Sequence, residues 1–103
     1  MHLLLLNMRI HLTDLYGKKL ALLLWYMNED NEATAAIVSG VAFQHNGNLS
    51  LHRGNILPPM PIPLHLVWRA RLVPDDLKDI VQNADYCIQG TVTELGMNEK
   101  AIA

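Results

Sequence analysis

The segment from Leu64 to Leu95 constrains the fold of this chain more than any other stretch. Its residues 64–72 alternate between two faces, and successive side chains of a β-strand point to opposite sides. The alternation therefore predicts a half-buried strand over 64–72. One face of this strand would carry Leu64, Leu66, Trp68, Ala70 and Leu72, and the other His65, Val67, Arg69 and Arg71.

A helix is predicted over 74–84. Pro74 suits the first helical position, and Asp75 and Asp76 place negative charge where the helix dipole favours it. An apolar stripe with helical spacing would pack this helix on the sheet. The stripe consists of Leu77, Ile80, Val81 and Ala84.

A second strand is predicted over 86–94. Tyr86, Ile88 and Val92 share its apolar face, and Gly90 on the same face indicates a bulge or close packing against a ring. The connection between the two strands is long enough for a crossover. Strands 64–72 and 86–94 are therefore either parallel or antiparallel neighbours.

Two further strands are predicted near 4–12 and 19–27. The residues from 20 to 27 are all apolar, and their propensity also suits a helix. Lys18 and Lys19 precede them and Glu29 follows them, which is the reverse of what a helix dipole favours. We therefore expect a strand over 19–27, with a helix as the alternative. A strand that is apolar on both sides lies in the centre of a sheet, with its second face under a helix or another chain.

Strands near 34–44 and 48–53 are joined by Asn46-Gly47, a dipeptide that favours a two-residue type I′ hairpin turn. In this register His45 and His52 do not face each other. The Pro-rich connector 56–63 is expected to be extended and to lie along the domain.

Together these elements predict a single α+β domain over 1–103 with a flexible tail at 96–103. Its sheet would be rich in antiparallel pairs, with about five to six strands arranged as a meander of hairpins. One main helix near 74–84 would pack on one face of this sheet.

The composition indicates that another chain or a ligand covers part of the apolar surface of this protein. Hydrophobic residues make up 50% of the chain and charged residues 17%, against roughly 25% charged residues in typical soluble proteins. A small domain of this kind exposes apolar surface unless another chain or a ligand covers it. We therefore expect a homodimer.

Several classes of partner and compartment are disfavoured. The formal net charge of −2 gives no general attraction to nucleic acid. Cys87 is the only cysteine, which excludes an intramolecular disulfide and a cysteine-based zinc site. The four leucines at 3–6 are too few for a signal peptide, and the apolar run at 20–27 is too short to span a membrane. We expect a cytoplasmic protein.

No catalytic, metal or cofactor site is predicted. The five histidines lack the spacing of metal ligands, and Asp75 and Asp76 are explained by their place at a helix start. The sequence has no nucleophile elbow, P-loop or dinucleotide-binding motif. An enzyme that uses Asp75, Asp76 or a histidine is the third hypothesis.

The first hypothesis is a small non-enzymatic binding or regulatory protein that acts through protein–protein interaction. The second is a small-molecule binding protein for apolar or amphiphilic acids, with aromatic and methionine side chains around a pocket and Arg69 or Arg71 at its mouth. Arg69, Arg71 and His65 would project from one face of a strand, and together with His52 and Arg53 they would form a basic patch if the two strands are neighbours. The candidate binding residues are His65, Trp68, Arg69, Arg71, Trp25 and Tyr86, and Met27 would help to line the pocket.

Overall fold

Six strands form one mixed sheet in the residues that the structure, a computed structural model, describes, 10–96. The strands are β1 (Lys19–Met27), β2 (Ala33–His45), β3 (Asn48–His52), β4 (Met60–Pro61), β5 (Arg71–Leu72) and β6 (Tyr86–Thr91). Their order across the sheet is β4-β3-β2-β1-β6-β5, and all neighbours are antiparallel except β1 and β6. Two short α-helices, α1 (Leu12–Leu15) and α2 (Leu64–Val67), and a 3₁₀-helix at Asp75–Leu77 complete the fold. The predicted α+β class and antiparallel-rich sheet of about five to six strands are confirmed, whereas residues 10–96 do not contain the one main helix that was predicted.

The apolar run at 20–27 forms a central strand, as the order of its flanking charges predicts, and the helix alternative is wrong. β1 pairs with β2 from Lys19 to Met27 and with β6 from Leu20 to Trp25. Burial on one face explains why Leu20, Leu22 and Leu24 are apolar.

The hairpin at Asn46-Gly47 is also confirmed. Asn46 has φ of 52° and Gly47 has φ of 81°, the two left-handed conformations that a type I′ turn requires. Directly before and after the turn, His45 pairs with Asn48. His52 pairs with Val41, so the two histidines lie apart on the hairpin as predicted.

The predicted strand over 64–72 is wrong. Leu66 and Val67 are adjacent and both buried in the main core, which a strand's alternation does not permit. The chain instead forms α2 and resumes an extended conformation only at β5, which pairs antiparallel with β6. The physical reason is packing: a Cβ on Gly90 would come within 3.2 Å of Leu66 Cδ2, so Leu66 occupies the space that this glycine leaves. Gly90 therefore packs closely against a leucine rather than a ring.

The predicted helix over 74–84 is also wrong. The Val73 N–H donates to the Asp85 carbonyl at 3.0 Å, so the two ends of the segment meet. An α-helix over these residues would hold its ends roughly 15 Å apart. The chain instead makes one 3₁₀ turn and closes with Gln82 and Asn83 in left-handed conformations, at φ of 59° and 62°. The side chain of Gln82 accepts a hydrogen bond from the Ser39 hydroxyl, which anchors this loop on β2.

The N-terminal end of the described region differs from expectation as well. Most of the strand predicted over 4–12, and the tail predicted over 96–103 beyond Gly96, lie outside the described residues. Leu12 begins α1 rather than ending a strand, because the Asp14 carboxylate accepts the His11 backbone N–H at 3.0 Å and favours a turn. In the connector 56–63, Met60 and Ile62 are buried on the domain as expected, whereas Ile56 is 96% exposed.

The main core lies on one face of the sheet. Leu20, Leu22 and Leu24 of β1 are fully buried there beside Ile88 of β6. The two short α-helices and the connector cover this face, through Leu15, Met60, Ile62, Leu66 and Val67.

The opposite face is covered at one end only. Val73, Val81 and Ala84 of the loop 73–84 pack over Ala21, with Ile37 and Cys87 beside them. Beyond this cover, Trp25 and Met27 are 42% and 46% exposed. We call the part of this face that runs from Leu23 to Met27 on β1, with its neighbours across the adjacent strands, the open face. It consists of Leu23, Trp25 and Met27 of β1, Ala33, Ala35 and Ile37 of β2, and Gln89 and Thr91 of β6.

Candidate functional site

A groove of about 670 Å³ adjoins the open face, with which it shares Leu23 and Gln89, and lies between the β5–β6 edge of the sheet and the loop 73–84. Its floor is formed by Leu23, Cys87 and Gln89. Residues 68–74 form one wall. Leu77, Ile80 and Val81 form the other.

The groove exists because backbone hydrogen bonds hold the two ends of the loop 73–84 together and attach them to β1. Val73 binds the Asp85 carbonyl, and the Asp85 N–H donates to the Lys19 carbonyl at 2.9 Å. Val81 and Ala84 then pack on the sheet, while Leu77 and Ile80 remain exposed. The apolar stripe that predicts a helix is thus divided in two. Val81 and Ala84 are buried against the sheet, whereas Leu77 and Ile80 form an exposed wall of the groove.

Arg69 holds an ion pair at the rim of the groove. Its Nη2 and Nη1 atoms donate to Glu94 Oε2 and Oε1 at 2.6 Å and 3.0 Å. Glu94 also accepts the Thr91 backbone N–H at 3.0 Å, and Thr91 Oγ1 accepts the Glu94 N–H at 3.0 Å. The hydrogen bonds from Arg69 and Thr91 lower the pKa of Glu94 from its usual 4.5 to about 2, and the same pair raises the pKa of Arg69. The charge of Arg69 is therefore neutralised.

Arg71 differs from Arg69 in this respect. It lies on β5 directly opposite Cys87 of β6 and lines the groove. Among the described residues it has no ion pair. Burial raises the pKa of the Cys87 thiol above its usual 9.0, and the nearby Arg71 charge lowers it by less. At neutral pH the thiol is protonated, so Arg71 places one uncompensated positive charge in an apolar groove.

The structure brings together half of the candidate binding residues. Trp68, Arg69 and Arg71 line the groove, as the pocket hypothesis requires. Trp25 lies on the open face outside the groove, and Tyr86 packs against the main core.

The remaining basic candidates do not join them. His65 is exposed on α2 and does not line the groove. His52 and Arg53 belong to the β3 end of the sheet, and β2, β1 and β6 separate β3 from β5. The predicted basic patch is therefore not formed, and Arg53 Nη2 donates to the Pro58 carbonyl at 3.2 Å instead.

Several groove residues were missed by sequence reasoning. Leu23 reaches the floor because β1 and β6 are parallel neighbours, a pairing between distant parts of the chain that no local pattern shows. The spacing of Leu77 and Ile80 matches a helical stripe packed on the sheet, so it predicts burial rather than an exposed groove wall. The signal available for Leu23 was the absence of polar residues on either side of β1.

The described residues contain no group of three or more His, Cys, Asp and Glu side chains that could hold a metal ion. None of the helices within 10–96 has the length and apolar character needed to cross a bilayer. Comparisons with protein-family models, with curated proteins and with solved structures found no match.

Proposed function

We propose that this chain is a small non-enzymatic binding protein of the cytoplasm that works as a homodimer, with the open face of one copy packed on that of the other. The observation that carries the proposal is the open face, an uncharged region of the sheet from which Trp25 and Met27 project into solvent.

The polarity of this face supports the proposal. The solvated face of an antiparallel sheet normally carries polar residues. Here the open face holds six apolar side chains and only two polar ones, Gln89 and Thr91, and no charge. Large contiguous apolar patches are rare on monomeric proteins and mark interaction sites.

A second copy is the partner that this surface favours. An uncharged face is best buried against another uncharged face, because a charged partner would lose its hydration without gaining an ion pair. Twofold symmetry supplies such a face automatically, since the same patch is used on both chains. Two sheets that meet in this way pack about 10 Å apart with interdigitating side chains.

The cytoplasmic assignment rests on Cys87, a single unpaired thiol that fits a reducing compartment. The non-enzymatic assignment rests on the sequence, which carries no motif of a known catalytic constellation.

The proposal is tested by placing a charge on the open face. Trp25→Lys should convert the dimer to a monomer in sedimentation velocity, because a buried lysine would have no partner. Ile56→Lys is the matched control, since Ile56 is 96% exposed on the connector and lies away from the open face. Circular dichroism melts establish that both variants are folded.

The wild type and Ile56→Lys should sediment as dimers and Trp25→Lys as a monomer. A Trp25→Lys chain that still dimerises would overturn the assigned interface. A wild-type chain that stays monomeric at high micromolar concentration would overturn the dimer itself.

A further inference from the structure

We propose that the groove beside β5 binds a small amphiphilic carboxylic acid, with the carboxylate on the Arg71 guanidinium and the apolar chain along Leu77 and Ile80. This goes beyond the proposed dimer, which requires no ligand.

The shape and lining of the groove fit a small molecule. Ligand sites are concave, typically about 300–1,000 Å³, and mostly apolar with a few placed polar groups. The groove measures about 670 Å³, and its charged side chains are Arg69 and Arg71 alone. Its remaining polar groups are few, and the loop 73–84 contributes only apolar side chains.

The charge of the groove points to an anionic head. Glu94 already neutralises Arg69 through two hydrogen bonds. Arg71 has no such partner among residues 10–96, and Cys87 opposite it is a neutral thiol because burial raises its pKa. No Asp or Glu is found among the lining residues, all of which lie in the described part of the chain. One net positive charge is left for a ligand.

A carboxylate matches this charge better than a phosphate. A guanidinium presents two parallel N–H donors that fit the two oxygens of a carboxylate. One guanidinium balances one monovalent carboxylate, whereas a phosphate dianion would bring a second negative charge that no lining residue compensates.

The walls of the groove account for the apolar chain of the ligand. Leu77 and Ile80 are 44% and 62% exposed although they face a concave surface. An alkyl chain laid along them would remove this apolar area from water, which is the main source of affinity for amphiphiles. Trp68 belongs to the opposite wall.

The test is calorimetric titration of the wild-type protein with decanoate below its micellar concentration. Decan-1-ol and decyltrimethylammonium are the comparison ligands, since they keep the alkyl chain and remove or reverse the charge. Saturable binding of decanoate, with the comparison ligands weaker by about tenfold or more, is expected. Equal affinity for decan-1-ol, or no binding of decanoate, would overturn the proposal.

Matched variants locate the site. Arg71→Gln should weaken decanoate binding by about tenfold, because it removes a charge-assisted hydrogen bond. Lys18→Gln should leave the affinity unchanged, since Lys18 carries the same charge on an exposed turn outside the groove. Ile80→Asp should abolish binding and Ile56→Asp should not. Equal effects of the two substitutions in either pair would contradict the assigned site.

The rate of Cys87 alkylation provides a second measure of ligand binding that is independent of calorimetry. It is the only thiol of the chain and lies on the groove floor, so bound decanoate should slow its alkylation by N-ethylmaleimide. Decanoate that binds without protecting Cys87 would place the ligand elsewhere.

The inference and the dimer proposal fail separately. Trp25 does not line the groove, so the monomeric Trp25→Lys variant should bind decanoate as tightly as the wild type. Loss of binding in that variant would overturn the assignment of the site to a single chain.

Discussion

Arg69 and Glu94 form a bidentate ion pair. Arg69 lies just after α2 and Glu94 lies in the turn after β6, so the pair links these two segments. The two residues are 25 positions apart in the sequence, and the shorter contact is 2.6 Å. Because Glu94 neutralises the charge of Arg69, Arg71 is the cation of the groove that is available to a ligand.

The first prediction concerns the pH dependence of stability in Glu94→Gln. The pKa of Glu94 is about 2 in the folded chain and 4.5 without its partners. A lowered folded-state pKa stabilises the protein above the unfolded-state pKa, and this contribution is lost as the pH falls from about 4.5 through about 2. In urea unfolding at neutral pH, the wild type should have a higher free energy of unfolding than Glu94→Gln. The plots of this free energy against pH for the two proteins should converge as the pH approaches about 2.

Glu29→Gln is the control for this experiment, because Glu29 is an exposed carboxylate with no ion pair among the described residues. Its stability curve should run parallel to that of the wild type. A constant difference between the wild type and Glu94→Gln across the acid range would show that the ion pair does not form in solution.

The second prediction concerns the ionisation of Cys87. Burial raises the pKa of this thiol above its usual 9.0, and Arg71 partly opposes the shift. The pH profile of alkylation should therefore have its midpoint above that value in the wild type, and Arg71→Gln should move it higher still. A midpoint at or below the usual value would mean that the groove floor is wetter than the structure shows.

The third prediction separates the two halves of the apolar stripe in the loop 73–84. Val81 is 7% exposed and Ile80 is 62% exposed. Val81→Ala should lower the free energy of unfolding by about 1–2 kcal/mol, whereas Ile80→Ala should change it by less than about 0.5 kcal/mol. Chemical denaturation measures both. Similar costs at the two positions would instead fit a continuous helix with a buried stripe.

The fourth prediction concerns a close approach of two strands. A Cβ on Gly40 would overlap the backbone carbonyl oxygen of His52, which cannot move without disturbing the β2–β3 pairing. Gly40→Ala should therefore destabilise the fold by about 1–3 kcal/mol. Gly90→Ala is the comparison, because its nearest contact is the flexible Leu66 side chain at 3.2 Å. If Gly90→Ala were the costlier change in thermal or urea unfolding, the register of β2 and β3 would be in doubt.

The parts of the fold that follow from neighbouring residues were predictable. The turn at Asn46-Gly47 needs only two residues that tolerate positive φ. The strand at 19–27 follows from the order of its flanking charges, which oppose a helix dipole. In both cases local preference and tertiary packing favour the same structure.

The second half of the chain could not be predicted, because long-range contacts override its local patterns. Leu66 leaves the alternating pattern to fill the space beside Gly90. The hydrogen bond between Val73 and Asp85 closes a loop where the spacing of apolar residues favours a helix. Neither contact is visible in the sequence.

The candidate site was predictable only in part, where a single segment of the chain supplies its residues. Trp68, Arg69 and Arg71 were found because a single segment carries them. Trp25 and Tyr86 resemble pocket residues only in residue type, and the sheet places both outside the groove. The floor of the groove depends on the parallel pairing of β1 with β6, which only the assembled sheet provides.

Native mass spectrometry of the freshly purified wild-type chain tests the central claim most directly, because it counts subunits without any substitution. An open face that is buried against a second copy predicts a species of twice the 11.6 kDa chain mass. A species at 11.6 kDa alone, at concentrations where standard dimers persist, would contradict the account.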